Sequence, residues 1–163
     1  MEAGEDLFHV ISLIIPAVVL LPNFLFWAWP PEGMPSSVQA VQVHLGLKVA
    51  EGAGRVGVMV VPLFYGIHMN QSLASLALVI MIIAMLLYSV GWVRYLRQGR
   101  RYYWLFAPLW GIPVPMAIMP VLYFLASSLL LESIPMLVSA IILGIGHIPS
   151  SLQIYRNLEP GQA

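Results

Sequence analysis

The chain has 163 residues, of which 60% are hydrophobic and only 9% are charged, and its formal net charge is zero. A soluble domain carries about 25% charged residues, so this composition predicts an integral membrane protein with one polytopic domain over residues 1–163. The zero net charge makes nucleic acid an unexpected partner. The absence of cysteine excludes disulfides, thiol redox chemistry and thiolate metal sites.

Five apolar stretches approach the roughly 20 residues that a helix needs to cross a hydrocarbon core of about 30 Å. Each stretch is expected to be an α-helix, because lipid offers the backbone no hydrogen-bond partner. We therefore predict an all-α bundle of five transmembrane helices. The expected spans are residues 8–29, 49–67, 73–93, 106–131 and 134–155.

The basic residues predict how this bundle lies in a membrane. All seven fall on one side of a five-span chain, and Lys and Arg accumulate in cytoplasmic loops. We therefore expect an outside N-terminus and a cytoplasmic C-terminus in the bacterial cytoplasmic (inner) membrane. The residues before the first span include the acidic Glu2, Glu5 and Asp6 and none that is basic. This agrees with an outside N-terminus, whereas a secretory signal would begin with basic residues. Trp92 and Trp104 lie near the expected inner ends, as in an aromatic belt. The basic residues are Lys48, Arg55, Arg94, Arg97, Arg100, Arg101 and Arg156.

The connector after the first span predicts a new helix. Prolines between residues 30 and 35 end the preceding helix, because they remove backbone donors. Ser36 and Gln39 have the spacing of a capping box. We expect an amphipathic helix that starts over about residues 37–48 and continues into the second span.

Prolines are expected to break the fourth span, since a proline inside a helix removes a backbone hydrogen bond. In one interpretation, residues 102–110 form a surface segment, and a separate membrane helix begins near Pro113, where proline is tolerated in the first turn. In the other, the break lies within the membrane and its free carbonyl groups line a cavity. The prolines of this span are Pro108, Pro113, Pro115 and Pro120.

A polar stripe on the second span is the strongest candidate for a functional site. His44, Lys48, Glu51 and Arg55 follow one another at helical spacing. Glu51 four residues before Arg55 is the order that favours an ion pair. Counting along each helix at about 1.5 Å per residue places polar residues of three other helices at a similar depth. The predicted ligand-binding residues are Asn23, Glu51, Arg55, Tyr88 and His147.

Two interpretations of this set remain open. A charged residue at the centre of a membrane helix costs roughly 2.5 to 3.5 kcal/mol, so it usually faces a partner or a wet cavity. In the functional interpretation, Arg55 binds an anionic group in a pocket open to the cytoplasm, and Glu51 or His147 transfers a proton. In the structural interpretation, Glu51 neutralises Arg55, or Arg55 extends to the headgroups. Asn23 and His147 then only form hydrogen bonds between helices.

Two histidines and a carboxylate form a weaker candidate for a metal site. His9 and His68 are expected near the outside boundary of the membrane, with Glu132 on the same side. Imidazole and carboxylate groups are zinc ligands, but no pair here has ligand spacing within one helix. Solvated histidines at the interface are the preferred interpretation, and no metal is predicted.

The function predicted first is the binding or transport of a small amphipathic or lipid-like ligand through a polar pocket in the cytoplasmic leaflet. One alternative is a membrane-embedded enzyme acting on a lipid head group, with His147 or Glu51 as base. Another is a non-catalytic accessory subunit of a membrane complex. The sequence does not identify a cofactor, so its cofactor is left as unknown. The expected partners are the lipid bilayer and either further copies of the chain or a partner membrane subunit, because five helices leave little room for a transport path.

Overall fold

The part of the chain that the structure describes folds as a bundle of five α-helices. The structure is a computed structural model that describes residues 8–34 and 42–158. Short 3₁₀ helices lie at Val10–Leu13, Val61–Phe64 and Tyr102–Leu105. The described elements are all helical, as the composition predicts. Helix α1 covers Ile14–Ala28, α2 Leu45–Val60, α3 Ala74–Arg97, α4 Pro115–Leu130 and α5 Ile134–Asn157.

Three of the described helical segments are long and apolar enough to cross a membrane, namely Val10–Ala28, α3 and α5. Helix α4 is apolar but shorter, with 16 residues. Large apolar side chains such as Leu21, Ile83 and Ile141 are exposed on the outer surface, where a helix that faces water normally carries polar residues. These features are compatible with a helical membrane protein.

Backbone and side-chain hydrogen bonds join the start of α1 to the end of α2. The amide of His9 donates to the carbonyl of Leu63 at 2.7 Å, and the hydroxyl of Ser12 donates to the carbonyl of Tyr65 at 2.6 Å. The amide of His68 donates to the last residue of α4 at 2.8 Å. We call this the histidine end of the bundle, formed by residues 8–13, 61–73 and 130–133.

The opposite end joins the end of α1 to the end of α3. The hydroxyl of Tyr95 donates to the carbonyl of Trp29 at 3.0 Å. The amide of Glu32 donates to the carbonyl of Arg100 at 2.8 Å, and the amide of Tyr102 donates back to Glu32 at 3.0 Å. Consecutive helices therefore run in alternating directions. We call this the basic end, formed by residues 29–34, 98–114 and 156–158.

Arg94 holds the irregular segment between α3 and α4. Its guanidinium donates to the carbonyl oxygens of Ala107 and Pro108, both at 2.6 Å, and to that of Trp104 at 3.3 Å. It also lies 5.1 Å from the centre of the Trp104 ring. Hydrogen bonds from a charged donor are stronger than neutral ones. Arg94 therefore fixes the segment between α3 and α4 in place. It also adds positive charge near the basic end of the bundle.

Helix α4 begins at Pro115. The predicted span over residues 106–131 is therefore helical only in its later part, and Pro108 and Pro113 precede the helix. Residues before a proline avoid helical geometry, whereas proline in the first turn removes no helical bond. Pro120 lies inside α4 and is accommodated there.

Helix α2 begins later than the sequence predicts. The predicted capping box at Ser36 and Gln39 lies outside the described residues, as does the acidic stretch near the N-terminus. Residues 42–44 are not helical, so the expectation of one helix from residue 37 into the second span does not hold there. The helix starts at Leu45, because Nδ1 of His44 accepts a hydrogen bond from the amide of Gly46 at 3.1 Å and caps the first turn.

Helices α2 and α5 cross with their backbones in contact. A methyl group added at Gly54 would overlap the backbone of Leu143. One added at Gly146 would lie 2.6 Å from Cα of Glu51 and 2.7 Å from the carbonyl oxygen of Leu47. Glycine permits this approach, as small residues do generally between membrane helices.

Helix α1 is the most loosely packed of the five. Helix α3 packs along α4, and α4 packs along α5, so that α2, α5, α4 and α3 form a continuous layer. Helix α1 makes only sparse contacts with α3 and α4, and its contact with α2 is sparser still. It is held mainly at its two ends, which leaves space beside its middle.

Gly54→Ala tests the close approach of α2 and α5. The added methyl group must push the two backbones apart, and overpacking of this kind costs about 1–3 kcal/mol. Gly52→Ala is the matched control, because no atom lies within 4 Å of its added methyl group. Both variants gain the same helix propensity, so a difference between them reports the overpacking alone. We therefore expect a lower melting temperature in detergent for Gly54→Ala than for Gly52→Ala. Equal melting temperatures would contradict the close approach.

Candidate functional site

A cavity of about 690 Å³ lies between the five helices. Small-molecule sites usually measure about 300 to 1,000 Å³, so this cavity has the size of a ligand site. Each of the five helices contributes to its wall, and so do two residues of the segment before α4. The polar side chains in the wall are Asn23, Arg55, Tyr88, Trp92, His147 and Ser151.

The structure brings four of the five predicted site residues to this cavity. Asn23 comes from α1, Arg55 from α2, Tyr88 from α3 and His147 from α5. The fifth residue, Glu51, is outside the wall and bonds to two of these side chains. The five residues therefore lie at or beside one cavity, come from four helices and form two hydrogen-bonded groups.

Glu51 connects α2 to α5. Its Oε1 accepts a hydrogen bond from the guanidinium of Arg55 at 2.5 Å and lies 3.0 Å from Nδ1 of His147. Because a carboxylate can only accept, Nδ1 carries the hydrogen in this contact, and Nε2 is an acceptor when the imidazole is neutral. The side chains of Glu51 and His147 are 20% and 23% exposed, whereas that of Arg55 is 58% exposed. Arg55 thus has further donors that Glu51 does not use.

A second polar pair connects α1 to α3. The hydroxyl of Tyr88 donates to Oδ1 of Asn23 at 2.6 Å. Tyr88 is buried, and its ring meets that of Trp92 edge to face. This bond lies in the middle of α1, where the helix is otherwise loosely packed. It therefore fixes how far α1 stands from the rest of the bundle.

Trp92 is a wall residue that the sequence analysis assigned to the aromatic belt. It is 4% exposed, and its shielded indole N–H makes no well-aligned hydrogen bond among the described residues, although it lies close to the hydroxyl of Tyr88. Buried donors are almost always paired, so this group is unusual. No sequence signal distinguishes Trp92 from an interfacial tryptophan, because its helix is apolar on all sides.

The exposed residues of the wall lie on α1 and α2, which indicates that the cavity opens between these two helices. Leu20 on α1 and Arg55 on α2 both line it, and they are 38% and 58% exposed. Helices α1 and α2 make few contacts with each other. A molecule can therefore reach the cavity laterally.

The remaining residues of the predicted stripe on α2 lie away from the cavity. His44 caps the helix, and Lys48 is exposed near its start. The stripe is thus divided along its length. Of its four residues, only Arg55 lines the cavity, and only Glu51 bonds to residues of the cavity wall.

The metal candidates do not form a site. His9 and His68 both lie near Gly66 at the histidine end. However, within residues 8–34 and 42–158 no three His, Asp or Glu side chains are grouped so as to hold a metal ion. Glu132 therefore does not complete a ligand set with the two histidines.

Comparison with known protein families, with curated proteins and with solved structures finds no match for this chain. A fold class alone does not define a function, because function depends on the site that the fold carries. The geometry and chemistry of the cavity are therefore the basis for proposing one.

A double-mutant cycle tests the contact between Glu51 and His147. Side chains in contact show coupling energies of about 0.5–3 kcal/mol, whereas independent sites add within about 0.3–0.5 kcal/mol. We expect Glu51→Ala and His147→Ala to be coupled in the free energy of unfolding in detergent micelles. Glu51→Ala and His44→Ala are the control pair, because His44 bonds to Gly46 instead, and these changes should be additive. Additivity in both pairs would contradict the contact.

Proposed function

We propose that this protein binds a small amphipathic or lipid-like molecule in the cavity between its five helices. The observation that carries this proposal is a cavity of ligand size into which four different helices direct polar side chains. Binding sites of this kind are mostly apolar with a few convergent polar groups.

The chemistry of the wall supports an amphipathic ligand. Its apolar part includes Val58, Met59, Met116 and Leu143, which suit a hydrocarbon chain or ring system. Arg55 is the wall residue with a permanent charge, and Glu51 neutralises part of that charge. A head group that is neutral or carries a single negative charge therefore fits the polar part of the wall.

The position of the opening supports a ligand that dissolves in the bilayer. The gap between α1 and α2 lies on the side of the bundle, among apolar side chains such as Leu21 and Val56 that are exposed. In a membrane these side chains would face lipid. A lipid-like molecule would then reach the cavity without crossing the headgroup region.

We further propose that all five helices span the membrane and that the basic end faces the cytoplasm, in a bacterial cytoplasmic membrane. The alternating helix directions support this arrangement, because they place nearly all the basic residues at one end. Helices α2 and α4, with 16 residues each, would be about 24 Å long. The segments next to them would complete the crossing. Movement of a ligand across the membrane would need further copies or a partner subunit.

The orientation can be tested with single cysteines, because the chain contains none of its own. Asn70 lies in the exposed loop of the histidine end, and Gln98 is exposed at the basic end. In intact cells, a membrane-impermeant maleimide should label Asn70→Cys, and it should label Gln98→Cys only after permeabilisation. The reverse pattern would place the basic end outside, and labelling of both in intact cells would exclude an alternating five-span topology.

Native mass spectrometry of the gently extracted protein tests ligand binding. We expect a co-purifying small molecule on the wild-type chain, and on Lys48→Gln, because Lys48 lies outside the cavity. Arg55→Gln should lose most of it, since the head group loses its charged partner. Ala117→Phe should lose it as well, because Ala117 is a buried wall residue and the added ring fills the cavity.

Two results would contradict this proposal. One is an empty wild-type chain that is found only with partner subunits, which would favour an accessory role. The other is a bound molecule that Ala117→Phe retains, which would place the ligand elsewhere. The melting temperature of each variant serves as the control for folding.

A further inference from the structure

We infer that the molecule bound in the cavity is a single-chain amphiphile with one negative charge on its head group, and that His147 takes up a proton when this molecule binds. This inference rests on the proposed ligand-binding function and names the class of its ligand. It is drawn from the charges that the wall presents, from the donors that these side chains leave free and from the carboxylate that holds them.

The cavity wall presents positive charge and no carboxylate. Arg55 is permanently charged, and the imidazole of His147 can gain a proton. No Asp or Glu of residues 8–34 or 42–158 lines the cavity, because Glu51 lies outside the wall. A cleft lined by charge of one sign attracts a ligand of the other sign. The wall therefore favours a head group that is negative over one that is positive.

Arg55 has free donors for such a head group. Its Nη2 donates to Oε1 of Glu51 at 2.5 Å, and its guanidinium makes no other hydrogen bond within the described parts of the chain. A guanidinium has five N–H donors in a planar fork that matches the oxygens of an anion. An anionic head can therefore bind Arg55 while Glu51 keeps its own contact.

The charge balance of the cluster couples this anion to a proton. With a neutral His147, Arg55 and Glu51 cancel, and a bound anion leaves one negative charge without a partner. An unpaired charge is costly where apolar side chains exclude water. Protonation of His147 restores the balance. Its Nδ1 contacts the same oxygen of Glu51 as Arg55 does, so the added positive charge lies beside the other two groups.

Protonation also changes what His147 offers to the ligand. Because Nδ1 carries the hydrogen in the contact with Glu51, Nε2 of the neutral imidazole is an acceptor and cannot bond to an anionic oxygen. In the protonated imidazole, Nε2 is a donor. A bound anion therefore favours the protonated form of His147 through both charge and hydrogen bonding.

His147 is the member of the site that is suited to exchange this proton near neutral pH. The charged and titratable groups around it are Glu51 and Arg55 from α2 and Tyr88 from α3, while α1, α4 and the segment before α4 contribute none to the wall. Tyrosine and arginine side chains do not ordinarily titrate near neutral pH, and Glu51 is held as a carboxylate by its two partners. Histidine ordinarily titrates between about pH 5 and pH 8.

The rest of the wall fits one alkyl chain. Val58, Met59 and Leu143 form an apolar surface beside Arg55 and His147. The cavity volume of about 690 Å³ lies in the range of sites for drug-sized ligands, whereas a phospholipid with two acyl chains is larger. A fatty-acid-like anion is therefore the favoured ligand, and an anionic phospholipid is the other source of a single negative charge.

The test is calorimetric binding to the purified protein in phosphatidylcholine nanodiscs, with empty nanodiscs as the blank. The probe is decanesulfonate, because its head stays ionised and any titration then belongs to the protein. Decanol is the neutral comparison, and dioctanoyl phosphatidylglycerol is the anion with two chains. At about pH 6, wild type should bind decanesulfonate more tightly than either of them. Between about pH 6 and pH 8, the affinity should fall on the order of tenfold, because binding that takes up a proton weakens as the pH rises.

Three variants locate the proton. His147→Gln keeps an amide donor for Glu51 but cannot titrate, so it should remove the pH dependence. It should also remove the proton uptake, which is obtained from binding heats in two buffers of different ionisation enthalpy. His68→Gln is the matched control with unchanged pH dependence, because His68 is exposed and is not a wall residue. Glu51→Gln removes the competing negative charge, so its affinity for decanesulfonate at about pH 8 should rise severalfold.

Each other outcome overturns the inference, and the outcomes separate it from the proposed function. Decanol binding that equals decanesulfonate binding refutes the anionic head but leaves an amphipathic ligand in place. Equal or tighter binding of dioctanoyl phosphatidylglycerol refutes the single chain. A wild-type affinity that does not change with pH, or a pH dependence that His147→Gln retains, refutes the coupled proton.

Two further results keep the test decisive. If His147→Gln does not fold, an affinity of Glu51→Gln that fails to rise at high pH refutes the charge balance. Binding of none of the probes refutes the inference. A molecule that still co-purifies after gentle extraction then leaves the proposed function standing, whereas an empty chain refutes both.

Discussion

The close approach of α2 and α5 is the constraint on which the rest of the structure depends. Gly54 and Gly146 let the two backbones meet, and this contact brings Glu51 within hydrogen-bond distance of His147. Helix α2 packs along α5 and makes few contacts with α1. The space that remains beside α1 is the cavity, and Arg55 lies at its edge. The glycines thus permit the contact on which the polar cluster beside the cavity depends.

The geometry of the polar cluster is compatible with both interpretations that the sequence left open. Removing charges from water is costly, and a buried charge needs a partner. Glu51 has this structural role, since it accepts from Arg55 and contacts His147. Arg55 is nevertheless more than half exposed and lines the cavity. One carboxylate can therefore anchor two side chains whose remaining polar groups are free to contact a ligand.

The number of helices and the shared level of residues such as Asn23 and Tyr88 along the bundle could be predicted from the sequence, because both follow from fixed geometry. Apolar length indicated five helices, and a rise of about 1.5 Å per residue indicated that Asn23 and Tyr88 lie at similar depths. Helix ends were less predictable. The starts of α2 and α4 depend on local contacts, such as the cap formed by His44 and the loop carbonyls held by Arg94. The role of Trp92 could not be predicted, because a helix that is apolar on all sides does not indicate which side faces a neighbour.

The central claim is that the cavity beside α1 and α2 is a ligand site. The alternative is that α1 packs against α2 in the membrane and no cavity exists. An experimental structure of the protein extracted directly from its own membrane into nanodiscs tests this most directly. We expect density for a bound molecule with its head beside Arg55 and His147 and its tail against the apolar part of the wall. A structure in which α1 packs along α2 and the cavity is closed would contradict the account.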